Sequence, residues 1–204
     1  MSRLDLATHR ERAVYEEHSP ARNRTIWVRP VDVTHDTGLV HLWMHKPHVE
    51  EYWAMAWPPE EIAAYLRRHD DEPTRSSYVG CVDDDAVGYL EVYDPAHDVL
   101  GGHYPVQAGD VGAHVLIGSE DYLGRYSVSL GRSVTRFLFQ DPRVRRIVGE
   151  PDVRNHNFVS LLAFLGYRKE GELDLPDKRA ALMVCERDVF ERLGTRRRRP
   201  PGGG

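Results

Sequence analysis

The run GDVGAHVLIG, residues 109–118, sets one histidine inside an apolar, β-branched stretch that reads as a buried strand. Burying an imidazole costs free energy unless a partner satisfies it, so His114 is either a hydrogen-bonded core residue or a proton carrier. Strand alternation puts Gly112, His114 and Leu116 on one face and Val111, Ala113, Val115 and Ile117 on the other. A carboxylate follows at a useful spacing: Asp152, in IVGEPDVRN, lies 38 residues on, about one strand–helix–strand crossover. If the two strands are neighbours, imidazole and carboxylate can meet near the carboxyl ends, where ligand sites of parallel sheets lie. Such a carboxylate holds the ring in one tautomer and raises its basicity. A purely structural His–Asp bond is the alternative that the pattern leaves open.

Further candidates cluster in HLWMHKPHVEEYW, residues 41–53, which supplies Trp43, His45, His48 and Trp53, with Trp57 close behind. Aromatics with a few polar groups suit a small-molecule pocket, and plain helix packing explains them as well. His41 and His45 stand four apart, but the glutamate of H-E-x-x-H is missing, so no metal is expected. Glu91, in YLEVY, either contacts an amine or faces solvent. Lys178, in LPDKRA, either pairs with a ligand carboxylate or is a solvated surface lysine. Cys81 and Cys185 lie in strand-like runs without an adjacent base, which gives a thiol nucleophile no support.

The elements that must position these residues follow from patterning. Residues 1–24 are polar and irregular and read as an N-terminal arm. TIWVRPVDV alternates as a strand, with Pro30 hinting at a sheet edge. Two short helices interrupted at Pro47 come next, then a third in WPPEEIAAYLRRHD, opened by prolines and carboxylates. SSYVGCVDDDAVGYLEVYDP reads as a hairpin turning at Asp83-Asp84-Asp85. A Gly-rich loop leads into the His114 strand. YSVSLGRSVTRFLFQDP shows helical spacing, VRRIVGEPDV is a strand, and NHNFVSLLAFLGY is a helix capped by Asn155 and stopped by Gly166. Two strands and a terminal turn of helix close the order. A strand–helix–strand unit over 111–152 implies one parallel pair in an otherwise antiparallel sheet, an α+β (mixed α/β) class.

Composition bounds the rest. The 204 residues, 41% hydrophobic and 29% charged, suit one soluble domain, placed at 25–193, with 194–204 (TRRRRPPGGG and the glycine before it) as a disordered basic and Gly-rich tail. A net charge of -5 argues against nucleic acid as partner. No stretch approaches the roughly 18 apolar residues of a membrane helix, and the first twenty residues hold no signal-peptide run. Two distant cysteines suggest neither a disulfide framework nor a zinc ribbon, and a cytoplasmic monomer or homodimer is expected.

Four stretches together resemble one family: HLWMHKPHVEEYW, GYLEVY with GDVGAHVLIG, GEPDVRNHN, and LPDKRAALM, spanning roughly residues 26–192. The chain resembles GNAT N-acyltransferases, in the branch that acylates lysine, hydroxylysine or hydroxyornithine side chains in hydroxamate siderophore assembly of the aerobactin, rhizobactin and mycobactin type. The resemblance implies a mixed, mostly antiparallel twisted sheet with one parallel strand pair, flanked by helices. It implies acyl transfer from acyl-coenzyme A to a small-molecule amine or hydroxylamine. In that family the histidine of G-x-H-x-L-I-G resembles a general base oriented by the aspartate of E-P-D-x-x-N, here His114 and Asp152. The tyrosine that serves many GNAT enzymes as general acid would fall at Leu162, which cannot ionise.

The resemblance also implies a donor site. Leu116 and Ile117 belong to the strand end whose backbone N–H groups would face the thioester carbonyl, and Gly124, Arg125, Ser127 and Asn155 are the expected coenzyme A contacts. The family's R-x-x-G-x-G turn corresponds to YLGRYSVSLG, where Tyr126 and Val128 stand at the two glycine positions. Either those side chains point away, or pyrophosphate binding is weakened or replaced. Trp43, His45, His48, Trp53, Glu91 and Lys178 are the acceptor-side candidates. A donor carried on a carrier protein, and a catalytically silent GNAT-like binding module, are the other two readings.

Overall fold

The computed structural model describes residues 9–20 and 22–196. These group into two compact units, one running up to Tyr93 and resuming over Ala113–Ser133, the other holding Asp94–Gly112 and the chain from Val134. The first unit contains β1 (Tyr15–Ser19), β2 (Arg24–Pro30), α1 (Val33–Met44), α2 (Pro47–Trp53), α3 (Pro59–Asp71), β3 (Arg75–Val82) and β4 (Asp85–Tyr93). It also holds β5 (Asp110–Ile117) from Ala113 onward. Its strands neighbour one another in the order β1-β2-β3-β4-β5, and the pairs β1/β2, β2/β3 and β3/β4 are antiparallel.

The second unit begins with the first three residues of β5 and continues through β6 (Arg146–Gly149), α5 (His156–Leu165), β7 (Arg168–Asp174), β8 (Arg179–Glu186) and α6 (Arg187–Arg196). The connecting helix α4 (Ser127–Leu138) divides between the units at Ser133. Here the order is β5-β6-β8-β7. β5 and β6 are the parallel pair, over Asp110–Gly112 and Arg146–Val148, while β8 is antiparallel to both its neighbours. The expected crossover therefore forms as read. α5 is capped at Asn155, whose Oδ1 accepts from Phe158 N at 3.1 Å, and ends at Gly166, φ 105°.

Two expectations need correction. Tyr15–Ser19, expected inside an irregular arm, pair as β1 with Arg24–Val28, so β2 is flanked on both sides and Pro30 marks no edge strand. The proline is tolerated because β1 stops at Val28, short of it. At the other end α6 runs to Arg196, past the expected start of the tail, and 197–204 lie outside the described residues, as do 1–8.

Local chemistry explains why these segments hold. Asp32 caps α1 by accepting from Thr34 N and His35 N, and α3 carries Glu60 and Glu61 in its first turn and Arg68 and His69 in its last, matching the helix dipole. The hairpin turn is tied to β2: Asp83, at φ 49°, accepts from Thr25 N at 2.8 Å and from Trp27 Nε1, through its backbone oxygen, at 2.7 Å. α1 is fixed to β2 by a charged pair inside the core. Arg29 donates through both terminal nitrogens to Asp36, at 2.6 and 2.8 Å, and both side chains are 0% exposed. Asp36 also accepts from Asp32 N at 2.7 Å.

Removing one partner of such a pair strands the other charge in the core. Asp36→Ala is expected to cost about 3–5 kcal/mol of stability, read as a lowered midpoint in chemical denaturation; a loss under about 1 kcal/mol would mean that Arg29 finds another partner.

Candidate active site

Strand β4 builds the back wall. Tyr89, Glu91 and Tyr93 project on one face of it by strand alternation, and all three are buried. Glu91 is the decisive member, a carboxylate at 2% exposure. Burial pushes its pKa up, yet the hydrogen bonds and nearby positive charge outweigh burial and hold it below the usual carboxylate range. Tyr65, from α3, donates to Glu91 Oε1 at 2.6 Å, and Tyr89 donates to the same oxygen at 3.0 Å. Burial, with the Glu91 charge, pushes both phenols well up, so they remain protonated donors.

The second oxygen belongs to His114. Its Nδ1 lies 3.1 Å from Glu91 Oε2, and an ionised carboxylate can only accept, so Nδ1 carries the proton and Nε2 the basic lone pair. β5 is less enclosed than a buried strand: Gly112 and Leu116 are buried, but the His114 side chain between them is 29% exposed. Tyr93 stacks on the imidazole at 4.8 Å between ring centroids, and Trp53 meets it edge-on at 6.1 Å. The ring is thereby held from behind by charge and from two sides by aromatics.

Asp152 is placed differently from the expectation. Its carboxylate is taken by Arg154, two residues on, with Nη2 at 2.6 Å and Nε at 3.0 Å from both oxygens, and it accepts from Arg154 N at 2.8 Å. The Arg154 bonds hold its carboxyl below the usual range despite burial. The hydrogen-bonded carboxylate of His114 is Glu91 on β4. Glu91 is thus neither solvent-facing nor open to an amine, because its oxygens are filled by His114, Tyr65 and Tyr89. Also in the second unit, Lys178 Nζ lies 3.5 Å from Glu150 Oε1, and Asn155 serves as the α5 cap.

The remaining first-unit candidates fall into place as supports. Trp43 is core: a Cβ added at Gly118 would come within 2.1 Å of its ring, so the chain turns past β5 directly over the indole. His48 Nε2 donates to Ile117 O at 2.9 Å and pins the strand end, whereas exposed His45 donates through Nδ1 to His41 O at 2.9 Å, back onto α1. Leu116 is buried in the core. Gly118 N and Ser119 N both donate to Val87 O, at 2.9 and 3.2 Å, which ties the chain leaving β5 to β4.

At the donor turn Gly124 adopts φ 66° and its N–H donates to Ser127 Oγ at 2.9 Å. The Tyr126 ring packs on Tyr122 at 4.9 Å, joins the cluster of Ile26, Val82, Val87 and Leu130, and lies under Arg22 and Arg125 at 5.4 and 5.8 Å. Its bulk is therefore spent against the body of the first unit. No acidic residue occupies the first turn of α4, whose leading N–H groups lack intrahelical acceptors.

Patterning missed Tyr65 and Tyr89 and misread Glu91. One signal was available: a glutamate between tyrosines at i−2 and i+2 of an apolar strand, on its core-facing side. Among the described residues no group of three His, Cys, Asp or Glu could hold a metal, and no helix is long and apolar enough to cross a membrane. Burial pushes the thiols of Cys81 and Cys185 up to about 12, which leaves them inert as nucleophiles.

This geometry can be set beside known proteins. The N(6)-hydroxylysine O-acetyltransferase of Escherichia coli is 34% identical over 179 residues, covering 87% of this chain and 57% of that protein. The N-hydroxyputrescine acetyltransferase of Acinetobacter baumannii is 31% identical over 164 residues, 80% of this chain and 78% of its own. The chain thus spans little more than half of the first relative. An uncharacterised Bacillus halodurans protein of known crystal structure superposes with a TM-score of 0.83 at 31% identity, covering 87% of this chain and 92% of that one. The family described as acetyltransferase (GNAT) domain matches residues 32–175. With its mixed sheet, its one parallel pair and this match over most of its length, the chain belongs to the GNAT acetyltransferase family.

Proposed function

We propose that this protein transfers an acyl group from acyl-coenzyme A to the side-chain amine or N-hydroxylamine of a lysine- or ornithine-type acceptor, as in siderophore or related natural-product assembly. The observation that carries the reading is His114 held by a buried, ionised Glu91. The names of the two relatives support the acceptor class, since both specify hydroxylated amines. Residues 25–193 act in this reading as one acyltransferase domain, as a monomer or homodimer. Two buried free thiols suit a reduced, cytoplasmic setting.

The transfer is direct. The acceptor nitrogen attacks the thioester carbonyl carbon as His114 Nε2 takes its proton; the C–S bond breaks, and the thiolate recovers that proton from the imidazolium. Glu91 fixes Nδ1 and stabilises the imidazolium between the two steps. Backbone N–H groups near Leu116 and Ile117 polarise the carbonyl. Trp53, beside His114, forms a wall for the acceptor chain, with His45, His48 and Trp43 as outer or supporting members. The first turn of α4, with Gly124, Arg125 and Ser127, receives the donor pyrophosphate, and the packed ring of Tyr126 favours this over a carrier-protein donor.

His114→Ala is expected to lower kcat about 10²- to 10⁴-fold with acceptor KM nearly unchanged, measured with acetyl-, malonyl-, succinyl- and long-chain acyl-coenzyme A against hydroxylysine, hydroxyornithine and lysine. Undiminished turnover would remove the base. Glu91→Gln should approach the His114→Ala loss, whereas Asp152→Asn should fall well short of it; the reverse order would return the orienting role to Asp152. Saturable coenzyme A binding by calorimetry is expected, and its absence would favour a carrier-protein donor or a binding module.

A further inference from the structure

Behind Glu91 the hydrogen bonding does not stop. Tyr89 Oη lies 2.9 Å from Ser77 Oγ on β3, and Ser77 Oγ lies 3.2 Å from Nδ1 of His69, in the last turn of α3. His69 Nδ1 is also 3.8 Å from Glu91 Oε1. Hydrogen-bond chemistry assigns the direction of every proton in this chain. Tyr89 spends its only proton on ionised Glu91, so it can only accept from Ser77; Ser77 then spends its proton on Tyr89 and must accept from His69. His69 is therefore forced into the Nδ1–H tautomer, and the chain His69→Ser77→Tyr89→Glu91 points wholly at the carboxylate. His114 completes the symmetry from the other side, so that two Nδ1–H imidazoles, one directly and one through two hydroxyls, face one buried charge.

We infer that His69, outside every role assigned above, is a positioning residue for acyl transfer: it terminates a one-way hydrogen-bond chain that keeps Glu91 ionised and thereby sets the tautomer and basicity of His114. Linked hydrogen bonds of this kind polarise one another, and a chain broken at its end leaves Ser77 and Tyr89 free to turn their protons elsewhere. His69 suits the task because it is buried at 6% exposure, packs on Tyr65 at 4.2 Å between ring centroids, and forms part of the wall of a cavity of about 170 Å³ with Arg75 and Asp70. Burial pushes its pKa below that of an ordinary imidazole. Glu72, Arg75 and His114 also act electrostatically on His69, and Arg68 and Arg75 on Tyr65, so substitutions are confined to His69 itself.

The link to catalysis rests on the acyl-transfer reading, but the chain is testable without it. The measurement is the ¹⁵N and ¹H NMR of the His114 ring in the free protein, titrated in the parent, His69→Leu and His69→Asn; asparagine keeps an N–H where Nδ1 donates. In the parent and His69→Asn, His114 should be the Nδ1–H tautomer with matching titration curves. In His69→Leu the chain loses its end and Glu91 part of its ionisation, so its hold on the imidazolium weakens: the His114 midpoint should fall by half a pH unit or more, with tautomer mixing. Where turnover is detected, kcat should fall about three- to tenfold in His69→Leu at unchanged KM and recover in His69→Asn. An unaltered His114 titration in folded His69→Leu, or equal shifts in both variants, overturns the inference whatever the activity. A His69→Leu shift rescued by asparagine in a protein that forms no acyl product upholds the chain and rejects the acyl-transfer reading alone.

Discussion

A carboxylate without water must be answered by its neighbours, and in this protein Glu91 imposes that demand on everything around it. An unpaired charge at 2% exposure would cost several kcal/mol. Three direct donors offset that cost: Tyr65 from α3, Tyr89 from the same strand and His114 from β5. Each comes from a different element or strand position, so the carboxylate acts as a joint between helix and sheet. The docking of α3 therefore joins a charged contact at Tyr65 to the apolar burial of Ile62 and Leu66.

The same demand makes the imidazole useful. A histidine on a half-open strand is ordinary; one whose Nδ1 proton is claimed by a buried anion has its lone pair confined to Nε2. Tyr93 and Trp53 restrict the ring to that orientation, and 29% exposure leaves it reachable from solvent. Two further contacts keep the strand end in place: His48 on the carbonyl of Ile117, and Trp43 beneath Gly118. The Arg29–Asp36 pair plays the corresponding part for α1, which carries Trp43.

At the turn before α4, the bulk of Tyr126 is taken up by the surface beside it. Tyr126 turns its ring onto Tyr122 and a small apolar cluster, with guanidinium groups over it, rather than toward the start of α4. What a side chain does at such a position depends on whether the body of the protein offers it a surface. Here it does, and the backbone of the turn keeps a left-handed Gly124 and a serine that accepts from it.

Much of this was legible in the sequence by itself. The element order, the parallel crossover, the hairpin at Asp83, the cap at Asn155 and the stop at Gly166 follow from local periodicity and turn chemistry, which act over a few residues. His114 was legible too, because a polar ring in an apolar strand needs a reason. Its partner was not. Spacing along a crossover favoured Asp152, yet a guanidinium two residues away claims that carboxylate, and Glu91 reaches the imidazole from β4. Tyr65 and His69 share a face of α3 and Ser77 lies on β3, and no local pattern brings these two elements to a carboxylate on β4. Only tertiary packing decides which donors a buried charge collects, because that choice is made by side-chain direction and distance across strands and helices, quantities that a one-dimensional pattern does not carry.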